Sequence, residues 1–321
     1  VSHADLHTTE NTIVGFIGLG NMGSGMTRNL LTSGFRLVVT DVRREAAAEQ
    51  LAAGAEWADT AADVARRSDV VITMLPTPRI IEAALQGTDG LLAGLSQGKT
   101  WIDMSTSVPD VANHVRAEAA ERGIEIVDAP VSGMSVGAAN GALQIFVGAT
   151  DDQFASLFPV FEAMGDPKRI LHVGRPGAGY AVKLMINQLW FSHLVATAEV
   201  LAIGTAAGVE LDVLRRSLIA SPANSNFLEH DVRSILDHGD YDEGFAIALA
   251  CKDLGLSIDL SRSVGIPAEL SSLVEQIYRR AKRSYGDRAG EMTPFKLYED
   301  LLGTELRLPA EADVASAEAA A

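Results

Sequence analysis

The stretch TIVGFIGLGNMGSGMTRNLLTSG, residues 12–34, decides the reading of the fold. It opens on a β-branched and aromatic run, the pattern of a strand covered on both faces. Gly18-Leu19-Gly20-Asn21-Met22-Gly23 then gives G-x-G-x-x-G, and apolar positions at helical spacing follow. Between a strand and a helix this motif has a mechanical meaning. The first glycine permits a tight turn. The second lets a pyrophosphate approach the backbone at a helix N-terminus, and the third lets helix and strand pack closely. Residues Gly18, Leu19, Gly20, Asn21, Met22 and Gly23 are therefore candidate cofactor-binding positions. The alternative, an ordinary tight turn, lacks the required context on both sides.

The next candidate strand, RLVVTD (36–41), ends in Asp41. An acid there accepts hydrogen bonds from an adenosine ribose diol and repels a 2′-phosphate, which favours NAD over NADP. Arg43 and Arg44 follow directly and would meet that phosphate if their loop turned toward it, so NADP stays open. A solvated loop acid is the competing reading of Asp41. Further apolar runs lie at 69–75, 99–105, 124–130 and 143–149. Helical stretches such as EAAAEQLAAG (45–54) and VANHVRAEAAERG (111–123) separate some of them, each ending on a glycine suited to a left-handed cap. Strand–helix alternation predicts a Rossmann-type, doubly wound parallel sheet over residues 1–176. From Gly177 to Leu302 only helical periodicity remains. This predicts an all-helical domain over 177–308, entered through a long helix starting near Ala178, and a frayed or disordered acidic tail over 309–321.

The whole chain has 321 residues, enough for about two domains. Acids outnumber bases 42 to 26, for a net charge of −16. That field repels phosphate backbones and anionic lipid, so no nucleic-acid or membrane partner is expected. A small anion would bind only where local positive groups overcome the field. The single cysteine, Cys251, excludes an intrachain disulfide and a cysteine-built metal site and fits a cytoplasmic protein. The first ten residues lack the apolar core of a signal peptide. The longest apolar stretch, Ala178 to Val209, is interrupted by Lys183, Asn187, Gln188, His193 and Glu199, and reads as a buried helix rather than a span.

In open α/β sheets ligands bind beyond the carboxyl ends of the strands. Three such ends here are rich in polar and turn-forming residues: Leu75-Pro76-Thr77-Pro78, Asp103-Met104-Ser105-Thr106, and Asp128-Ala129-Pro130-Val131-Ser132-Gly133. Any one of them fits plain turn chemistry; their coincidence points to one crevice. Ser132 and Gly133 are placed to present donors to a carboxylate. Lys183 and Asn187 lie four apart in the apolar helix, on one face. A lysine there is costly unless its amine meets water, a charge or a ligand. Desolvation, or the positive ring of an oxidised nicotinamide, would lower its pKa until it trades the proton that accompanies hydride transfer. From this pair alone, a snorkelling lysine and an ordinary polar helix residue are the commoner reading. His3 and His7 have ligand spacing but no third ligand, and no metal site is expected.

Four segments in order over about residues 12–303 resemble the β-hydroxyacid dehydrogenases, the 3-hydroxyisobutyrate dehydrogenase family. FIGLGNMGSGMTRNLL (16–31) is similar to the family's cofactor signature and DAPVSGMSVGAANGAL (128–143) to its substrate signature. GAGYAVKLMINQ (177–188) is similar to its catalytic signature and CKDLGLSID (251–259) to its second cofactor segment. The resemblance implies that Lys183 is the catalytic lysine and Asn187 the substrate-orienting asparagine. It places Ser132 and Gly133 in the loop holding the substrate carboxylate, Lys252 at the cofactor, and Leu75, Pro76 and Thr106 beside the dinucleotide. Met134 stands where family members commonly carry a second glycine, so the substrate loop departs from the pattern. The implied activity is NAD-dependent interconversion of a short β-hydroxy acid and its semialdehyde or keto acid. Separately, the mostly apolar helical domain predicts a homodimer or homotetramer. The rival readings are an imine reductase, a 6-phosphogluconate dehydrogenase, which needs a longer helical domain, and a dinucleotide sensor without catalysis.

Overall fold

A computed structural model of the chain describes residues 6–242 and 244–309. His3 and most of the acidic tail lie outside them. The chain divides into two compact units, Val1–Leu184 and Met185–Ala321.

The first unit is built on a nine-stranded sheet. Its strands are β1 (Ile13–Ile17), β2 (Arg36–Thr40), β3 (Glu56–Trp57), β4 (Val70–Thr73), β5 (Thr100–Asp103), β6 (Glu125–Asp128), β7 (Val131–Ser132), β8 (Leu143–Gly148) and β9 (Gly165–Gly174). Six of them run parallel in the order β3-β2-β1-β4-β5-β6. The order reverses at β1, and the carboxyl end beside such a switch point is where this architecture forms its ligand crevice. Alternate residues explain why these strands read as unbroken apolar runs. Val14 and Phe16 of β1 join one buried cluster with Val70 and Ile72 of β4. Ile17 and Val71 join another with Trp101 and Ile126. Both faces are covered, so period-two polarity is absent.

The parallel rule holds only as far as β6. The chain then doubles back: β8 runs antiparallel to β6 and β7, while β9 is parallel to β8. Three strands lie outside the predicted set. β3 and β7 have two residues each, too few for a pattern. β9 carries Asp166, Pro167, Lys168 and Arg169 and is largely exposed, as an edge strand tolerates.

The second unit is helical. Beyond the long helix Ala178–Ala206 come Leu211–Ile219, Arg233–His238, Ile247–Ser263, Glu269–Tyr285 and Pro294–Leu302. Its core gathers Phe191, Leu194, Ala198, Leu201, Phe227, Ile235, Leu254, Tyr278 and Phe295. Trp190 stacks edge-on against Phe191 and Phe227, and its indole N–H donates to Asp231 at 2.7 Å; this satisfies the polar end of a large apolar side chain. The long helix has the length and hydropathy of a membrane span, yet its buried residues from Phe191 to Ala202 are core of this unit.

The change from strand to helix comes at Gly177-Ala178, whereas the compact units meet at Leu184-Met185, inside the long helix. The physical reason is the first turn of that helix. Tyr180 is fully buried among residues of the sheet unit, so the helix begins as part of that unit.

Candidate active site

The glycine-rich turn has the geometry its sequence requires. Gly18 has φ +101° and lies so close to Met74 that a Cβ would meet its carbonyl oxygen at 2.4 Å. A Cβ at Gly23 would meet the Gly18 carbonyl oxygen at 1.9 Å, so the helix Asn21–Thr32 can approach β1 only with hydrogen there. Gly20 differs. It is exposed at the N-cap of that helix, no side chain caps the helix, and a Cβ there would meet nothing within 4 Å. Open space in front of uncapped first-turn amides is a cradle for an anionic group, and these residues fit a dinucleotide pyrophosphate.

Asp41 follows β2 and reaches this turn. One of its oxygens accepts the Leu19 amide at 2.8 Å and the other accepts the Arg43 amide at 2.9 Å. The acid thus ties the glycine-rich turn to the end of β2. Arg44 turns away toward β3: its guanidinium lies 5.1 Å from the Trp57 ring centroid and 3.8 Å from Asp59. Leu75 donates its amide to the Ser105 hydroxyl at 2.8 Å, which binds two neighbouring strand-end loops together. Pro76 is exposed and Thr106 half-buried beyond those same ends.

Ser132 and Gly133 sit at the end of β7. Gly133 has φ +125°, and Met134 opens the next short helix at φ +55° with its side chain about half exposed. A side chain in the left-handed region is strained, so the backbone here has the form that a second glycine would suit.

Two fully buried acids stand at the ends of β5 and β6, side by side in register. Asp103 accepts hydrogen bonds from Thr73, from Ser105 at 2.6 Å and from the Tyr180 hydroxyl at 2.7 Å. Asp128 accepts the amides of Gly177 at 2.5 Å and Tyr180 at 3.1 Å. Burial pushes the Asp128 carboxyl up to about 6, against the pull of those amides and of Arg116. Burial likewise raises Asp103, and it raises the Tyr180 phenol well above its ordinary value, with Asp103 adding to the effect. Lys183, three residues after Tyr180, is buried.

Asn187 lies one turn beyond Lys183 on the same helix. In the second unit its amide N–H donates to Asp253 at 2.7 Å, and the other oxygen of Asp253 pairs with the Lys252 ammonium at 2.9 Å. The buried acid therefore brings together two residues 65 positions apart in the sequence-derived set. Asp253 itself was not singled out by that reading, nor were Tyr180 and the two strand-end acids as partners. Asp253 adjoins Lys252 in CKDLGLSID, and an acid closing an apolar run marks Asp103 and Asp128; those are the signals the sequence held.

Comparison with known proteins decides the assignment. Residues 13–174 match the model of the NAD-binding domain of 6-phosphogluconate dehydrogenase. Residues 177–298 match the NAD-binding domain of NADP-dependent 3-hydroxyisobutyrate dehydrogenase. The chain belongs to the 3-hydroxyisobutyrate dehydrogenase family. It is thus an NAD(P)-dependent oxidoreductase whose relatives act on hydroxy acids. It is 37% identical over 282 residues to the NAD-dependent L-serine dehydrogenase of Pseudomonas aeruginosa, covering 86% of this chain and 94% of that one. It is 33% identical to 2-(hydroxymethyl)glutarate dehydrogenase of Eubacterium barkeri, over 91% and 97% of the two chains. Among solved structures, 3-hydroxyisobutyrate dehydrogenase of Mycobacterium tuberculosis with L-serine superposes with a TM-score of 0.81, at 31% identity over 89% and 98% of the two chains.

Proposed function

We propose that this enzyme interconverts a short β-hydroxy acid and the corresponding semialdehyde or keto acid, with NAD preferred. Hydride transfer is the chemistry that the bound dinucleotide supplies. The chain's part is to position the substrate and move a proton. In the oxidative direction the Lys183 amine takes the proton of the substrate hydroxyl as the carbinol carbon loses hydride; in the reductive direction it returns that proton to the oxygen. The observation that carries this reading is the burial of Lys183 on the helix that also presents Asn187. With the lysine stem packed and only 8% of the residue exposed, the amine is held in place to exchange its proton with a bound group.

Asn187 orients the substrate. With one amide N–H committed to Asp253, its flip state is fixed, and its second N–H and carbonyl oxygen face the ligand in one defined sense. The Ser132 hydroxyl and the backbone at Gly133 hold the carboxylate, which brings the reacting carbon to a near-attack geometry. Gly18 to Gly23, with Asp41, Leu75, Pro76, Thr106 and Lys252, take the dinucleotide. The charge on Asp41 at the end of β2 supports the preference for NAD.

The long helix exposes Met185, Leu189, Val200 and Ile203. This apolar surface supports a homo-oligomer, a dimer or tetramer, with the surface at its interface. The acidic balance and single cysteine support a cytoplasmic enzyme without a nucleic-acid or membrane partner. A panel of L-serine, 3-hydroxyisobutyrate, 2-(hydroxymethyl)glutarate and cyclic imines, followed by NADH and NADPH absorbance, tests the reading. Turnover of at least one β-hydroxy acid, faster with NAD, is expected. Turnover of imines alone would support the imine reductase reading, and NAD binding with no turnover would support a sensor.

A further inference from the structure

The paired acids at the ends of β5 and β6 have no part in the chemistry described so far, and both are spent on the helix that carries Lys183. Each oxygen of Asp128 takes one amide at the start of that helix, Gly177 and Tyr180. Asp103 takes the Tyr180 hydroxyl with one oxygen and Thr73 and Ser105 with the other. Ser105 in turn receives the amide of Leu75. One continuous buried network therefore runs from the Leu75 loop, through Ser105, Asp103 and Tyr180, to Asp128.

The packing leaves this arrangement no slack. A Cβ at Gly179 would meet the Phe146 carbonyl oxygen at 2.4 Å, and one at Gly148 would meet an Asp128 carboxylate oxygen at 2.6 Å. Arg116 donates to the Ile126 carbonyl oxygen and offsets the charge of Asp128. Apolar packing alone would hold a helix against a sheet without burying two acids, and buried charge is costly. What the acids add is direction: a carboxylate with both oxygens engaged fixes the helix start in translation and rotation.

We infer that Asp128 and the Asp103–Tyr180 pair are positioning residues that set the place of the Lys183 amine relative to the Leu75 strand-end loop. Lys183 follows Tyr180 by three residues, roughly 4.5 Å along the axis and on a neighbouring surface position, so its stem inherits whatever the clamp fixes. The inference rests on the reading of Lys183 as the proton-handling group.

The test uses full-length Asp128→Asn and Tyr180→Phe proteins and the hydroxy acid that the wild type turns over best. Asparagine keeps the shape but offers only one acceptor to the two amides. For Asp128→Asn we expect kcat to fall tenfold or more, while KM and the NAD dissociation constant, read by NADH fluorescence, change less than twofold. Amide hydrogen exchange over residues 177–184 should quicken more than tenfold, with exchange over 13–34 unchanged. Tyr180→Phe should show the same pattern more weakly, and it carries the test if Asp128→Asn does not fold. A kcat within twofold of wild type, or unaltered exchange over 177–184, would overturn the inference. So would a uniform loss of kcat, NAD affinity and exchange protection throughout the sheet unit, which marks a merely structural role. If the wild type turned over no hydroxy acid, the reading of Lys183 would fail instead, and the exchange comparison would still decide the clamp.

Discussion

Met134 shows how much a single residue records. Its φ of +55° costs roughly 1–2 kcal/mol for a side chain in the left-handed region, against about 0.5–1 kcal/mol of chain entropy for glycine. Its side chain is about half exposed, so little burial is lost on removal. Met134→Gly should therefore stabilise the protein by up to about 1 kcal/mol in urea unfolding, and it should widen the range of acids accepted; lower stability with an unchanged profile would place the side chain outside the pocket. Asp41 supports a second test. Asp41→Asn keeps an acceptor for the Leu19 amide but removes the charge, and the NAD-to-NADP ratio of kcat/KM should move at least tenfold toward NADP. An unchanged ratio would remove Asp41 from the adenosine end. At this scale the sequence was readable where chemistry is local. Lys183 and Asn187 stand out as polar groups in an apolar helix. The pair alone reads more commonly as a snorkelling lysine and an ordinary polar residue, and it is the family resemblance that singles them out. Asp253 does not stand out, because its role lies in a contact with Asn187 that only tertiary structure creates.

Among the elements, the glycine-rich turn separates folding from binding. Gly23 has the Gly18 carbonyl oxygen where its Cβ would be, whereas Gly20 has open space at φ −72°. Gly23→Ala should thus lose several kcal/mol of stability through backbone overlap. Gly20→Ala should fold with normal stability and bind NAD at least tenfold more weakly, since the methyl group enters the cradle. Titration by NADH fluorescence with thermal melts checks both, and equal damage in the two variants would contradict this division. Five of the six parallel strands, β1, β2, β4, β5 and β6, were legible because two covered faces leave continuous apolar runs. β9 was not, because an edge strand need not be apolar, and β3 and β7 are too short to carry any period. The start of the long helix was legible, but not its attachment to the sheet unit, because a buried tyrosine and two acids make that attachment.

Across the whole molecule the net charge of −16 conceals acids that behave against the usual trend. Asp128 is raised from 3.8 to about 6 by burial, so between those values the folded state binds more protons than the unfolded one. Its contribution is then present in acid and is lost as pH rises through about 6. The unfolding free energy of the wild type minus that of Asp128→Asn should be larger by about 2 kcal/mol at pH 4 than at pH 7. Urea unfolding across that range measures it, and a constant difference would mean that the carboxyl is not shifted. The balance of acids and bases argues against nucleic-acid and membrane-surface partners from composition alone. It could not show which acids are buried, since burial is a property of the fold.

The most direct test of the central claim is the Lys183→Ala variant, assayed for turnover and NAD affinity on the same preparation. Loss of at least a thousandfold in kcat, with the NAD dissociation constant within threefold of wild type, is the expected result. Turnover within tenfold of wild type would show that the proton travels by another group and would contradict the account.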